Sequence, residues 1–342
     1  MSTTPPGGEP AATPRGRMSW SRIETLHTCP QKYKYRYEEG LIGGRVHEYE
    51  NNEGVTVKVA YAYDYAMQFG SALHAALATI YDGTAFEAVH CPCEDSCDFC
   101  ERLIFAEGPR EGFVNGRWMY KCLAAFLIHY PWEPGVEDAR DKRNPRKRDV
   151  GVRLIHAYLE RWRREDFEVL AVEQEFELTF EEFDYIGIMD LLIRKAGAVS
   201  PWDHKSTSIF GAQFDNQFKL SGQFTGYIEG AELCTKSPVA SATANGLHVA
   251  MNVDTEDSFK RLETYRDTLD REVWRQSVQD DWSLIKQYRE SGRWPRHAPT
   301  SCYSFNRLCE YYALCESGPA GHENNDLKRN NYIVHRRESA YD

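Results

Sequence analysis

The sequence predicts an α/β fold, and three observations carry that prediction. Apolar residues recur at helical spacing toward both ends of the chain. In the middle they switch to every-second-residue alternation. Helical stretches then recur between and after the alternating ones, so helices must pack on a sheet. The 342 residues suffice for one elaborated domain, and 42% hydrophobic with 27% charged residues is the balance of a globular protein. No run of about 18 apolar residues occurs, so no membrane-spanning helix is expected.

The elements follow in order. Residues 1–17, "MSTTPPGGEPAATPRGR", lack an apolar signal region and read as a disordered leader. "MSWSRIETLHTCPQKYKYRYEEGL" opens with a serine suited to cap a helix and continues at helical spacing. "GSALHAALATIYDG" is a second short helix, apolar at Leu73, Ala76, Leu77 and Ile80 and stopped by Gly83. Residues 84–111 form a cysteine-rich insertion. Helices are expected near 112–130 and over 149–166, separated by an exposed basic loop at 137–149. "EVLAVEQEFELTF" alternates and is a strand, with "DYIGIMDLLIRK" and "VSPWDHKS" as two more around Ala196-Gly197. A helix over 214–234, a strand at "ATANGLHVAMNVD" and a long helix over 258–291 precede a cysteine segment ending at 315. Residues 316–342 read as a polar tail.

Charge and cysteine usage narrow the chemistry. A net charge of −11 argues against a nonspecific coat for nucleic acid, yet leaves room for a local basic stripe beside an acidic metal site. Without a secretion signal, the expected location is the reducing cytoplasm, where ten cysteines point to metal binding more than to disulfides.

A two-residue turn at Ala196-Gly197 would set Asp190 opposite Asp203, with Cβ atoms about 4.5–5.5 Å apart. Carboxylates that close repel unless a cation neutralises them. Lys205, two residues past Asp203, shares its face. Pro201 removes a ladder donor and leaves the register open to a bulge.

"GIMDLLI…WDHKS" resembles the Asp, Asp-x-Lys motif of the PD-(D/E)XK nuclease superfamily. Three further features are similar to its RecB-type branch, which includes CRISPR-associated adaptation nucleases and phage exonucleases. These are the opening helix "SWSRIETLHTCPQKYKYRY", the histidine segment "GSALHAAL", and Gln223 and Tyr227 in "QFTGY". The four motifs fall in the family's order over roughly 19–315. The resemblance implies a restriction-endonuclease-like core spanning 18–315, with a mixed β-sheet flanked by helices.

It also implies Mg²⁺ or Mn²⁺ held by His74, Asp190, Asp203 and the backbone carbonyl of His204. Lys205 would act on the attacking water or the scissile phosphate, and Gln223 and Tyr227 would steady it. Glu173 or Glu175, on the polar face of the preceding strand, would add a carboxylate, with Glu173 favoured for its depth in the apolar run. The family often staples its ends with a [4Fe–4S] cluster, and Cys29, Cys302, Cys309 and Cys315 match that set. Outside the family pattern, Cys91, Cys93, Cys97 and Cys100 have the ligand count of a structural Zn²⁺ site.

Arg143, Arg146, Lys147 and Arg148, in the densest basic run, are the candidate DNA-binding residues. The implied activity is metal-dependent DNA hydrolysis, by an exonuclease or single-strand-preferring enzyme, in recombination, repair or phage DNA processing. A recombination or replication protein is a candidate partner. The alternative is a catalytically silent nuclease-like subunit that binds DNA or acts as an adaptor.

Overall fold

The structure, a computed structural model, describes residues 15–43, 45–50, 56–61, 65–90, 118–130, 145–297, 300–304, 307–318, 328 and 332–334. A mixed sheet forms its centre. Strand β1 (Gly16–Met18) runs parallel to the start of β8 (Phe183–Lys195), and β7 (Glu168–Thr179) pairs antiparallel along the other edge of β8. Strand β9 (Ala198–Thr207) pairs antiparallel with the end of β8. Beyond it β10 (Ser241–His248) is parallel to β9 and β11 (Phe259–Tyr265) antiparallel to β10.

The β8–β9 connection is the two-residue turn that the sequence predicts. Ala196 and Gly197 both take left-handed φ, 48° and 83°, the backbone twist that suits a tight hairpin. Its register runs through Leu192↔Pro201 without a shift, so Pro201 forces no bulge. A proline is tolerated there because its nitrogen faces away from β8, and the β9–β10 ladder begins one residue later, at Trp202.

Two buried layers clasp the sheet. On one face lie α3 (Tyr65–Tyr81), α4 (Lys121–His129) and α5 (Arg148–Arg161), through Phe69, Leu73, Leu77, Phe126, Leu154 and Tyr158. On the other lie α1 (Trp20–Thr28), α6 (Ala212–Gln217), α7 (Gly222–Thr235) and α8 (Thr268–Ser291), around Phe183, Phe214, Phe224, Trp274 and Trp282. Helix α7 presses closely on the sheet because glycines line its inner face. A Cβ on Gly230 would come within 2.5 Å of the Phe176 ring, and one on Gly226 within 2.8 Å of the Tyr185 hydroxyl.

A smaller cluster of Tyr35, Leu41, Tyr311, Leu314 and Tyr332 gathers the chain ends. After α2 (Pro30–Tyr33), whose Tyr33 packs in the α7–α8 layer, it draws on a π-helical turn over Lys34–Glu38, β2 (Leu41–Gly43), α9 (Tyr312–Glu316), and β14 (Tyr332–Val334) paired with β2. Four short hairpin strands complete the set: β3 (Arg45–Glu50) with β4 (Thr56–Tyr61), and β5 (Ala88–His90) with β6 (Trp118–Tyr120). A two-residue pair, β12 (Tyr303–Ser304) with β13 (Arg307–Leu308), lies within the cysteine segment.

Several boundaries are corrected. Gly16 and Arg17 belong to the sheet and so fall outside the leader expected over 1–17. The helix expected over 258–291 is a strand followed by α8, which starts where Asp267 and Asp270 form a reciprocal capping box. The helix expected over 214–234 is broken between α6 and α7. The expected polar tail supplies β14, because Tyr332 finds an apolar seat against Tyr311. Cys122 is buried in the core, and Cys234 near the end of α7 is exposed. The insertion cysteines 91–100 and Arg143 lie outside the described residues. Arg148 is 5% exposed in the first turn of α5, which removes it from an exposed basic loop.

Candidate active site

The site forms where the β8 ladder opens. On one edge of β8, β1 covers residues 183–185 and β9 covers 191–195. Between them Asp190 spends its Oδ2 on the backbone N–H of His204, at 2.5 Å, and meets His74 Nδ1 at 3.5 Å with Oδ1. The strand also changes phase here. Phe183, Tyr185 and Met189 pack on the α7–α8 face, whereas Leu191 and Ile193 pack on the α3–α5 face. Opposite the change, on β7, Glu173 has the left-handed φ of 50°, a strained conformation for a residue with a Cβ. That kink gives Glu173 a part in the site that plain alternation would have shared with Glu175.

On the α7 side, Lys205 Nζ lies 2.7 Å from Asp203 Oδ2 and donates to Gln223 Oε1 at 3.1 Å. Gln223 Nε2 donates to Asp203 Oδ1 at 3.2 Å and to the Tyr227 hydroxyl at 2.9 Å. That hydroxyl in turn donates to Asp203 Oδ1 at 3.0 Å. The two helix residues are four apart, one turn of α7, so both reach the same carboxylate.

The electrostatics are those of crowded, dehydrated charges. Burial pulls the His74 imidazole down, but the charge and hydrogen bond of Asp190, aided by Asp203, outweigh it and raise its pKa to about 9. Burial pushes Asp190 up, yet His74 and the His204 N–H bring it below the ordinary carboxylate range. Asp203 is raised, by burial first and then by the Asp190 charge, against the pull of Lys205. Glu173 is pushed to about 7 by burial and then by Asp190 and Asp203. Burial holds His204 neutral, with its pKa lowered to about 3.

Three carboxylates and an imidazole that perturb one another this strongly are a donor set suited to a hard divalent cation, which would offset their repulsion. Among the described residues, no group of three or more His, Cys, Asp or Glu side chains stands at the spacing of a bound ion. Lys205 and His74 neutralise the carboxylates in this arrangement.

The metal-free protein should therefore lose stability as pH rises. Glu173 titrates higher folded than unfolded, so the native state holds its proton more tightly between 4.5 and about 7, and ionisation in that window costs folding free energy. Melting temperatures taken across it should fall with pH more steeply for wild type than for Glu173→Gln. Parallel curves would remove the perturbation.

Four free thiols, those of Cys29, Cys302, Cys309 and Cys315, form a second group. Burial raises the Cys315 thiol, Arg296 opposes it, and the charges of Cys29, Cys309 and Cys302 raise it further, so the four lie within electrostatic reach of one another. Cys309 N–H donates to the Cys302 carbonyl at 2.8 Å. Among the described residues these thiols, like the carboxylates, do not stand at the spacing of a bound ion.

Residues that the sequence reading missed lie behind the site. Asn245, fully buried in β10, contacts His204 Nδ1 at 2.9 Å and donates to the Tyr158 hydroxyl at 2.8 Å. Tyr81 stacks on the His204 ring, and Arg261 is sandwiched between Trp162 and Trp202. The one available signal was an asparagine in the middle of an apolar strand.

The sequence model of the PD-(D/E)XK nuclease superfamily matches residues 17–316. No curated protein matches. Among solved structures, one from Eubacterium rectale, named as a presumptive exonuclease, aligns at 11% identity over 86% of this chain and 89% of its own, with a TM-score of 0.43. The structure of SSO0001 aligns at 14% identity over 42% of this chain and 72% of its own, with a TM-score of 0.26.

Proposed function

The chain belongs to the PD-(D/E)XK nuclease superfamily, and from that premise we propose that it is a Mg²⁺- or Mn²⁺-dependent deoxyribonuclease of the RecB-type branch. It acts as an exonuclease or single-strand-preferring enzyme in recombination, repair or phage DNA processing. The observation that supports this most is the meeting of His74, Asp190, Asp203, Lys205, Gln223 and Tyr227 at the point where β8 and β9 part.

In this reading His74, Asp190, Asp203 and the His204 carbonyl would hold the metal, and Glu173 would be a further ligand to it or hold the attacking water. A divalent ion held there would supply positive charge at the scissile phosphate and lower the pKa of a water. Lys205, 2.7 Å from Asp203 Oδ2, would stabilise the charge that grows on the phosphate. Gln223 and Tyr227 keep Asp203 in one rotamer. Arg143, Arg146 and Lys147 steer the DNA backbone. The cysteine group near the chain ends is a [4Fe–4S] clasp, and Cys91, Cys93, Cys97 and Cys100 bind Zn²⁺.

End-labelled single- and double-stranded DNA, incubated with anaerobically prepared protein and Mn²⁺, tests the proposal. Degradation that stops with EDTA is expected, and the label position reads polarity. Intact DNA of every form would sink the reading. Tyr227→Phe removes one hydrogen bond to Asp203, worth about 1.5–3 kcal/mol for a charged acceptor. Its cleavage rate should fall about 10- to 100-fold in single-turnover assays.

A further inference from the structure

Behind the carboxylates, a row of polar side chains crosses three neighbouring strands on the α3–α5 face. His204 on β9, Asn245 on β10 and Arg261 on β11 are register partners. The hydrogen bonds along this row run in one direction. Arg261 Nε lies 3.4 Å from Asn245 Oδ1, which turns the amide so that its Nδ2 faces both the Tyr158 hydroxyl at 2.8 Å and His204 Nδ1 at 2.9 Å. The Tyr158 hydroxyl accepts from Asn245 and from Arg261 Nη2 at 3.3 Å, leaving its own hydrogen for the Tyr81 hydroxyl at 2.5 Å. Glu165 pairs with Arg261, whose Nη2 also donates to the Tyr81 hydroxyl at 3.2 Å. A guanidinium can only donate, so Arg261, held by Glu165, sets the direction of the chain through Asn245 Oδ1.

The consequence falls on His204. An amide nitrogen facing Nδ1 makes Nδ1 the acceptor, which puts the ring hydrogen on Nε2. Nε2 itself has no hydrogen-bond partner among the described residues, so Asn245 alone decides the tautomer. The ring is further held between Tyr81, stacked at 5.8 Å, and His74, edge-on at 5.8 Å. With the side chain immobilised, the His204 peptide is fixed as well. Its N–H is the group that orients Asp190, at 2.5 Å.

We propose that Glu165, Arg261 and Asn245 are positioning residues of the nuclease site. They lock His204 as the Nε2–H tautomer and, through its peptide, aim the Asp190 carboxylate and the neighbouring His204 carbonyl at the metal position. This rests on the metal-dependent reading above and assigns work to residues that reading leaves idle. It explains why a strand otherwise packed as core carries a fully buried asparagine. An imidazole whose Nε2 bears hydrogen and whose Nδ1 is occupied does not ligate the ion, so His204 contributes its main chain only.

The test uses the full chain. In metal-free protein labelled with ¹⁵N-histidine, two-bond correlation spectra should show His204, assigned by its loss in His204→Phe, as the Nε2–H tautomer. Mn²⁺ affinity is then read without DNA from the free-ion EPR signal. Asn245→Ala and the nearly isosteric Glu165→Gln should weaken it about tenfold, the scale for groups that orient metal ligands. Cleavage at saturating Mn²⁺ should change far less, and Arg261→Lys should retain part of the affinity that Arg261→Ala loses. Glu165→Gln keeps the test alive if Asn245→Ala does not fold.

An Nδ1–H tautomer in wild type overturns the proposal, and so do variants that lose only thermal stability while binding Mn²⁺ normally. If wild type neither binds Mn²⁺ nor cuts DNA, the nuclease reading fails on its own terms. The aiming of metal ligands fails with it, and the tautomer spectrum still decides whether the chain of hydrogen bonds sets His204.

Discussion

Asp203→Asn is expected to lower the rate of DNA cleavage by about 10³-fold or more, a loss of about 4 kcal/mol in transition-state stabilisation, in a chain that stays folded. The carboxylate is the hub of the α7 side of the site. It accepts from Gln223 and Tyr227 on one oxygen and meets the Lys205 ammonium on the other. Changing it to an amide keeps an acceptor for Tyr227 but removes the charge that would bind a cation. Asparagine is gentler than alanine here, because alanine would leave the Gln223 and Tyr227 donors and the Lys205 charge facing an apolar methyl group.

Lys205→Ala should match it in activity and differ in metal binding. It removes the competing ammonium from Asp203, so Mn²⁺ should bind at least as tightly as in wild type while cleavage is lost. Single-turnover cleavage and direct Mn²⁺ titration on both variants separate the two roles. Activity above about a tenth of wild type in either variant would remove that residue from the chemistry.

The second large effect concerns the cysteine clasp. Anaerobically purified protein should carry about four iron atoms per chain, and Cys29→Ser or Cys315→Ser should lose them. Both variants should melt about 10 °C lower, because metal-binding energy in such a small cluster is folding energy. Among the described residues, the junction's other ties are a small core, the β2–β14 pairing, hydrogen bonds and ion pairs such as Lys32–Glu310 and Lys328–Glu39. Five buried residues form its core, and a handful of hydrogen bonds sew it. Gln31 N–H donates to the Pro295 carbonyl at 3.0 Å, Ser301 Oγ to Thr28 at 2.6 Å and Arg296 Nη1 to the Cys315 carbonyl at 2.9 Å. Wild-type protein that is colourless, free of iron and identical in melting to Cys315→Ser would take the cluster out of this account. The carboxylate site would stand, since it shares no residue with the clasp.

How much could be read from the chain alone differed from element to element, for physical reasons. The β8–β9 hairpin was legible because a two-residue turn and a period of two leave little freedom in register. Once Ala196-Gly197 is the turn, Leu191 must face Trp202, and it does. Gln223 and Tyr227 were legible because one helical turn separates them. The long C-terminal helix was misread at its start. The stretch "FKRLETY" has its apolar residues Phe259, Leu262 and Tyr265 three apart, a helical spacing, and β10 supplies the partner that makes it β11 only in three dimensions. The break at 218–221 had a similar cause. Arg266 reaches in to bind the Phe218 and Ser221 carbonyls, at 3.3 and 3.0 Å, from more than forty residues away.

The sequence by itself determined the fold class, the hairpin register and the identity of the residues with chemistry to offer, because these depend on local period, turn geometry and residue type. Only the tertiary structure decided which of them meet and in what state. The phase change at Asp190, the left-handed Glu173 opposite it and the direction of the hydrogen bonds from Glu165 to His204 all come from strands and helices distant in the chain packing against one another. Dehydration works the same way. A glutamate whose pKa is pushed to about 7 and a histidine lowered to about 3 are properties of the cavity that surrounds them, which exists once the sheet and its two helical layers have closed.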